Sequence, residues 1–121
     1  MVNLEQGDVW WADMPEPSGS EPGYRRPVVI VLCNELIQSK IRTVVCVPLT
    51  SNLNWANFPG CVTLSEDETG LPQNSVANTA QISTIDTSIL TERVGNLSNK
   101  KLEEVLDGIE IVIGRRISNA R

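Results

Sequence analysis

The 121-residue chain contains no histidine, and that absence narrows its chemistry more than any residue present. Acid–base steps must fall to carboxylates, arginine, lysine, tyrosine or hydroxyls. A zinc site would need at least one carboxylate beside the three thiols Cys33, Cys46 and Cys61, an unusual donor set. The cysteines are odd in number, and their spacing fits neither a disulfide framework nor a paired metal motif. They read as small hydrophobic residues. No apolar run reaches the ~18 residues of a membrane span, and residues 1–6 lack the basic start and apolar stretch of a secretory signal. The expected compartment is the cytoplasm. Positive charge is also scarce: ten Lys and Arg stand against fifteen Asp and Glu, a formal net charge of −5. A general nucleic-acid binder would be basic. A local basic groove stays compatible with this balance, because arginines can cluster while acids spread.

What is present reads as one domain over residues 1–121, mainly β. Asp8-Val9-Trp10-Trp11-Ala12-Asp13 alternates as a short strand, with Val9 and Trp11 on one face and Trp10 and Ala12 on the other. Tryptophan on both faces implies that both are covered, one of them by a partner chain or by the chain's own rim. Residues 14–23 hold two glycines, several prolines and two serines, a loop composition. Residues 27–32 are continuously apolar and β-branched, which predicts a central strand. Residues 33–40 form a polar connection, a turn at Asn34 or a short helix. Residues 43–50 are the next strand, expected to end or bulge at Pro48, which has no N–H for a ladder. That would free Leu49, Thr50, Ser51 and Asn52 as an irregular segment with hydroxyls and an amide to offer.

Residues 53–60 carry Trp55 and Phe58 in a polar loop, either exposed for base stacking or folded back as a lid. Residues 61–64 read as a strand and residues 65–70 as a solvated acidic turn. Residues 75–86 read as one long bent strand, residues 87–90 as a helical turn and residues 93–95 as a last short strand. Ser98 is an N-cap residue. Leu102, Val105, Leu106, Ile109, Val112 and Ile113 recur at helical spacing, which predicts a helix to about Arg115 with Arg115 and Arg116 facing its negative end. Short strands followed by one C-terminal helix favour a small bent barrel. A parallel α/β fold is excluded, since helices do not alternate with strands.

One stretch stands out: Gly19-Ser20-Glu21-Pro22-Gly23-Tyr24-Arg25-Arg26-Pro27. It places two adjacent guanidiniums where a loop enters a strand. The pair either meets a phosphate or is solvated at a hairpin connection. The Gly-Ser-Glu…Arg-Pro element stands in order with Gly7-Asp8-Val9-Trp10-Trp11-Ala12-Asp13, with Val47-Pro48-Leu49-Thr50-Ser51, and with Ser75-Val76-Ala77 through Gln81-Ile82-Ser83-Thr84-Ile85. These four segments resemble the MazF/PemK family of bacterial toxin–antitoxin endoribonucleases, from about Gly7 to the final helix.

The resemblance implies an SH3-like barrel with a C-terminal helix, the fold shared by MazF, CcdB and Kid toxins, and a cytoplasmic homodimer with no cofactor, metal or membrane. It implies sequence-specific cleavage of single-stranded RNA, neutralised by an antitoxin with an acidic, disordered tail. DNA would be met only through the antitoxin complex. The family's arginine falls on Arg26, its hydroxyl on Thr50, its loop acid on Glu21 and its later polar residue on Gln81. Arg26, Thr50 and Glu21 are the expected catalytic residues. Arg25, Gln81, Ser51, Asn52, Trp55 and Tyr24 are the expected RNA contacts, and Lys40, Arg42 and Arg93 further candidates for a basic groove. Where some relatives carry histidine or an apolar residue, this chain has Arg25, so a histidine mechanism does not transfer. Two rival readings share the outline: a non-enzymatic toxin of the same fold that inhibits a protein target such as DNA gyrase, and a peptide-binding adaptor.

Overall fold

The computed structural model describes residues 3–15, 19 and 24–117. In chain order these form β1 (Asp8–Met14), β2 (Tyr24–Ile30), α1 (Asn34–Gln38), β3 (Thr43–Thr50), β4 (Val62–Leu64), α2 (Glu66–Thr69), β5 (Ser75–Ala77), β6 (Ser83–Asp86), β7 (Leu90–Asn96) and α3 (Asn99–Val112). Short 3-10 turns occupy Leu53–Asn57, Thr79–Gln81 and Thr87–Ile89. The strands make one curled sheet in the order β4-β5-β3-β2-β1-β7, with β6 on β3 as a side branch. All strand pairings among the described residues are antiparallel. A small, strongly bent β-structure closed by a C-terminal helix is the expected class.

The alternation predicted for β1 decides which core each side chain joins. Trp10 and Ala12 pack with Val28, Ile30, Val44, Cys46 and Ile85 on one face. Val9 packs with Val29, Val47, Leu49, Leu64 and Val105 on the other, with Trp11 against them. Both faces are therefore covered within this chain. Each fully buried Val, Leu or Ile contributes about 1.5–3 kcal/mol, so the two clusters supply the main favourable term of folding. Cys46 belongs to this core, and burial pushes its thiol up to about 12. Cys33 instead is exposed, so reading every cysteine as a packed hydrophobic residue fails there.

α3 begins as expected: the Ser98 hydroxyl accepts from Lys101 N at 3.2 Å. Leu102, Val105, Leu106 and Ile109 pack on the second cluster. The helix ends at Val112, earlier than the predicted Arg115, because Gly114 turns left-handed at φ +79°. Ile113 is exposed. Arg116 reaches back to Asp107 at 3.0 Å and Glu110 at 3.6 Å, rather than serving as a free charge beyond the helix end. Gly108 sets how closely α3 docks, since a Cβ there would run into the Gly60 carbonyl.

Several strand boundaries differ from the sequence reading; β7, at Leu90–Asn96, extends beyond the expected residues 93–95 at both ends. β2 starts at Tyr24, not Pro27, because β1 continues to pair with it through Ala12↔Arg26, Asp13↔Arg25 and Met14↔Tyr24. The two arginines are thus strand residues, not the end of a loop. β3 does not stop at Pro48. It exchanges partners there, leaving β2 after Val28↔Pro48 and joining β5 through Leu49↔Ala77 and Thr50↔Val76. The long strand predicted over residues 75–86 is broken by the turn Thr79–Gln81. Cys46 opposes Ser83 but Leu49 opposes Ala77, so the interruption absorbs the sheet's bend. The acidic turn is the short helix α2, closed by a capping box between Ser65 and Glu68 and by Gly70 at φ +83°.

Candidate functional site: a cleft where two strands part

The site opens where the β2–β3 ladder ends. Its last pair is Val28↔Pro48; Pro48 turns its backbone edge away from β2, its carbonyl accepting from Asn78 N at 2.9 Å, and the two strands diverge beyond it. Continuing the Val28↔Pro48 register by two residues would set Arg26 across from Thr50, on the same strand face. The strands have instead opened, and a cleft of about 340 Å³ lies between them. Arg25, Arg26 and Pro27 of β2 line one wall, with Trp11 beside them; Leu49, Thr50 and Ser51 line the second. Leu71, Pro72, Gln73 and Ser75 form a third.

Three features give the cleft its electrostatic character. It is lined by two guanidiniums and no carboxylate among the described residues, although the chain is acidic as a whole. The Arg26 Nε is buried, with no hydrogen-bond partner among the described residues. A buried donor left unpaired costs about 1–3 kcal/mol, so Arg26 is held ready for an acceptor from outside. Arg25 lies flat against Trp11, its guanidinium carbon 4.3 Å from the ring centroid, and 3.6 Å from Glu92. That contact is worth about 0.5–1 kcal/mol at such an exposed site and fixes where the charge points.

The Thr50 hydroxyl accepts from Asn52 N at 3.1 Å, which anchors the oxygen and leaves its own proton free to donate. Asn52 is engaged in turn, its side chain accepting from Asn54 N at 3.2 Å to cap the turn Leu53–Asn57. Arg26, Thr50, Arg25 and Ser51 therefore come together. Gln81, Asn52, Trp55 and Tyr24 do not line the cleft. Gln81 sits in the turn Thr79–Gln81, its amide oxygen accepting from Asn78 at 3.0 Å. Trp55 stacks on Phe58, ring centroids 4.7 Å apart, and Tyr24 is exposed at φ +59°. Glu21 lies outside the described residues.

Lys40, Arg42 and Arg93 are not in the cleft either. Arg93 belongs to a wider hollow of about 640 Å³ lined by Asn3, Glu5, Asp8, Trp10, Leu90 and Thr91. Its Nε donates to the buried Asp8 at 3.2 Å, so that charge is already matched. Sequence reasoning missed the third wall. Residues 71–75 carry no motif, and only the fold brings them opposite the arginines.

The fold agrees with known proteins. The family described as PemK-like, MazF-like toxin of type II toxin–antitoxin system matches residues 5–113, and the chain belongs to that family. It is 36% identical over 110 residues to Endoribonuclease MazF6 of Mycobacterium tuberculosis, covering 91% of this chain and 96% of the relative. It is also 36% identical over 111 residues to Endoribonuclease MazF of Staphylococcus saprophyticus, covering 92% of each. In solved structures, MazF (form I) from Deinococcus radiodurans superposes with a TM-score of 0.77 at 21% identity, covering 94% of this chain and 99% of that one. The Mycobacterium tuberculosis toxin MazF-mt6 gives 0.72 at 20% identity, covering 90% and 98%.

Proposed function

We propose that the chain is a toxin that cuts single-stranded RNA at a short sequence, without a metal, in the cleft between β2 and β3. The observation that carries this reading is the buried Arg26 Nε, without a hydrogen-bond partner among the described residues, in the cleft that also holds the Thr50 hydroxyl. RNA supplies its own nucleophile. The 2′-oxygen attacks the adjacent phosphorus and loses its proton to a base. The 5′-oxygen leaves and takes up a proton, and the products end in a 2′,3′-cyclic phosphate and a 5′-hydroxyl. Negative charge builds on the non-bridging oxygens in between. Arg26 pairs them through its planar fork, and Thr50 donates to the same oxygens. Arg25, held on Trp11, takes a neighbouring phosphate, with Ser51 at the rim. Glu21 is the proposed base, being a better proton acceptor than an arginine.

Gln81, Asn52, Trp55 and Tyr24 are not needed at the scissile phosphate. They are assigned to flanking nucleotides of a bound strand. A disordered antitoxin with an acidic tail would occupy the same cleft by competing for its arginines, and DNA would be met only through that complex. Solved relatives include a Deinococcus radiodurans MazE–MazF complex and a mycobacterial endoribonuclease with its cognate antitoxin. The protein acts in the cytoplasm as a homodimer. Val112, Ile113 and Ile117 leave apolar surface exposed around the end of α3, which a second copy would cover.

Incubation with a long RNA in EDTA, followed by end mapping, tests the reaction. Cut products bearing 2′,3′-cyclic phosphate are expected; strict dependence on added Mg²⁺ refutes the 2′-hydroxyl route. Intact RNA would return the chain to the rival role of a toxin that binds a protein target.

A further inference from the structure

We propose that Gln73 determines which base is accepted beside the scissile phosphate, an inference that rests on the endoribonuclease reading above. Gln73 stands on the third wall, opposite the arginines, and carries the one side-chain amide among the residues lining the cleft. That amide makes no hydrogen bond with the described residues, whereas its neighbours are committed. Leu71 N donates to Thr69 Oγ1 at 3.1 Å. Asn74 Oδ1 accepts from Glu66 N at 3.1 Å, tying the segment to α2 and its capping box. Ser75 is buried in β5, and its hydroxyl donates to the Gln73 carbonyl at 3.4 Å. The backbone of residues 71–75 is therefore fixed at both ends, and an exposed, unengaged amide is carried on it. A polar group presented from a rigid support is suited to reading a ligand.

The other residues lining this end of the cleft are apolar or aromatic. Pro72 and Leu71 stand on one side and Trp11 and Pro27 on the other. A phosphate paired with Arg26 and Thr50 leaves its attached base to face this end, since bases of a single strand are splayed and read along their edges. A glutamine amide presents one donor beside one acceptor. It pairs with a base edge offering the reverse, as adenine does through its N6 amino group and N7. It pairs poorly with an edge of two donors, such as the N1–H and N2 amino group of guanine. The discrimination from one such pair amounts to between about 5-fold and 150-fold.

The test is cleavage of a sequence-randomised RNA pool by the unaltered protein, Gln73→Ala and Gln73→Glu, with all cut sites sequenced and melting temperatures recorded. The expected result is that Gln73→Ala levels the nucleotide preference at one position next to the cut, leaving the other positions as they were. Gln73→Glu, with two acceptors and no donor, moves that position toward guanine. Unchanged preferences at every position in both variants would overturn the inference and leave the nuclease reading standing. An unaltered protein that leaves the pool intact would remove that reading and this one with it. Should Gln73→Ala melt early, the Gln73→Glu profile decides alone.

Discussion

Arg93 and Arg26 both lie on strands paired with β1, and they meet different company there. Arg93 faces Trp10 in the β1–β7 register and gives its Nε to Asp8. Asp8 is 1% exposed and also accepts from Asn96 at 2.9 Å, from Trp10 Nε1 at 3.3 Å and from Glu5 N at 3.0 Å. That carboxylate draws the N-terminal turn, β1 and β7 together. Arg26 pairs with Ala12 in the β1–β2 register and finds no acid among the described residues. The hollow around Arg93 is the larger of the two, yet its charge is spent within the protein. An arginine that holds a fold is matched by a buried acid, and an arginine that awaits an anion is left unmatched. Size does not separate the two hollows; hydrogen-bond accounting does.

Substitutions can test that contrast. Arg26→Ala should lower the rate of RNA cleavage by roughly 10²–10³-fold, the cost of losing a donor to a developing oxyanion. Its melting temperature should stay level or rise, since an unpaired buried donor is removed. A large fall in stability with cleavage intact would reverse the assignment. Asp8→Ala should do the opposite. Stripping a buried carboxylate from four donors should cost on the order of 3 kcal/mol, a melting shift of roughly 10 °C, while the folded fraction keeps its cleavage rate. Thermal melts paired with activity per folded molecule would show this.

Thr50→Val preserves shape and deletes the hydroxyl. Cleavage should fall roughly tenfold or more, the range for a hydrogen bond to a charged group, measured as a single-turnover rate. Salt is a finer probe. RNA affinity should fall by about 0.7 log unit per phosphate contact per decade of salt. Arg25→Ala should flatten that slope by about one contact, while Arg93→Ala should leave it alone.

The smallest effect concerns the support of the third wall. The Ser65 backbone N–H bond and, to a lesser degree, Lys101 hold the Glu68 carboxyl below its usual 4.5. Its folded value is depressed, so its contribution to stability is complete above that ordinary value and disappears as pH falls through the folded one. Stability between neutral pH and about pH 3 should therefore drop slightly less in Glu68→Gln than in the unaltered chain, read by denaturant melts.

How much of this was legible beforehand depends on the range of the cause. The start of β3 at Thr43 could be placed because β-branched residues fill the strand, and the start of α3 could be placed because Ser98 caps it by a local bond. That Arg26 and Thr50 line one cleft was legible only through resemblance, since no local rule joins positions 26 and 50. The local engagements of Gln81 and Asn52 were not legible in the sequence, because a turn bond depends on backbone geometry that composition does not give. Both are held in local turns.

The sequence alone determined a mainly β chain with one terminal helix and a reaction run without histidine, because propensity, alternation and composition act within a few residues. Only the tertiary structure decided that β3 would change partners at Pro48, that the strands would open there, and that residues 71–75 would close the third side. It also decided that Arg93 would meet the buried Asp8 while Arg26 meets no acid among the described residues. Those outcomes depend on which distant strands share hydrogen bonds, and register between distant strands is fixed by packing both faces of the sheet at once.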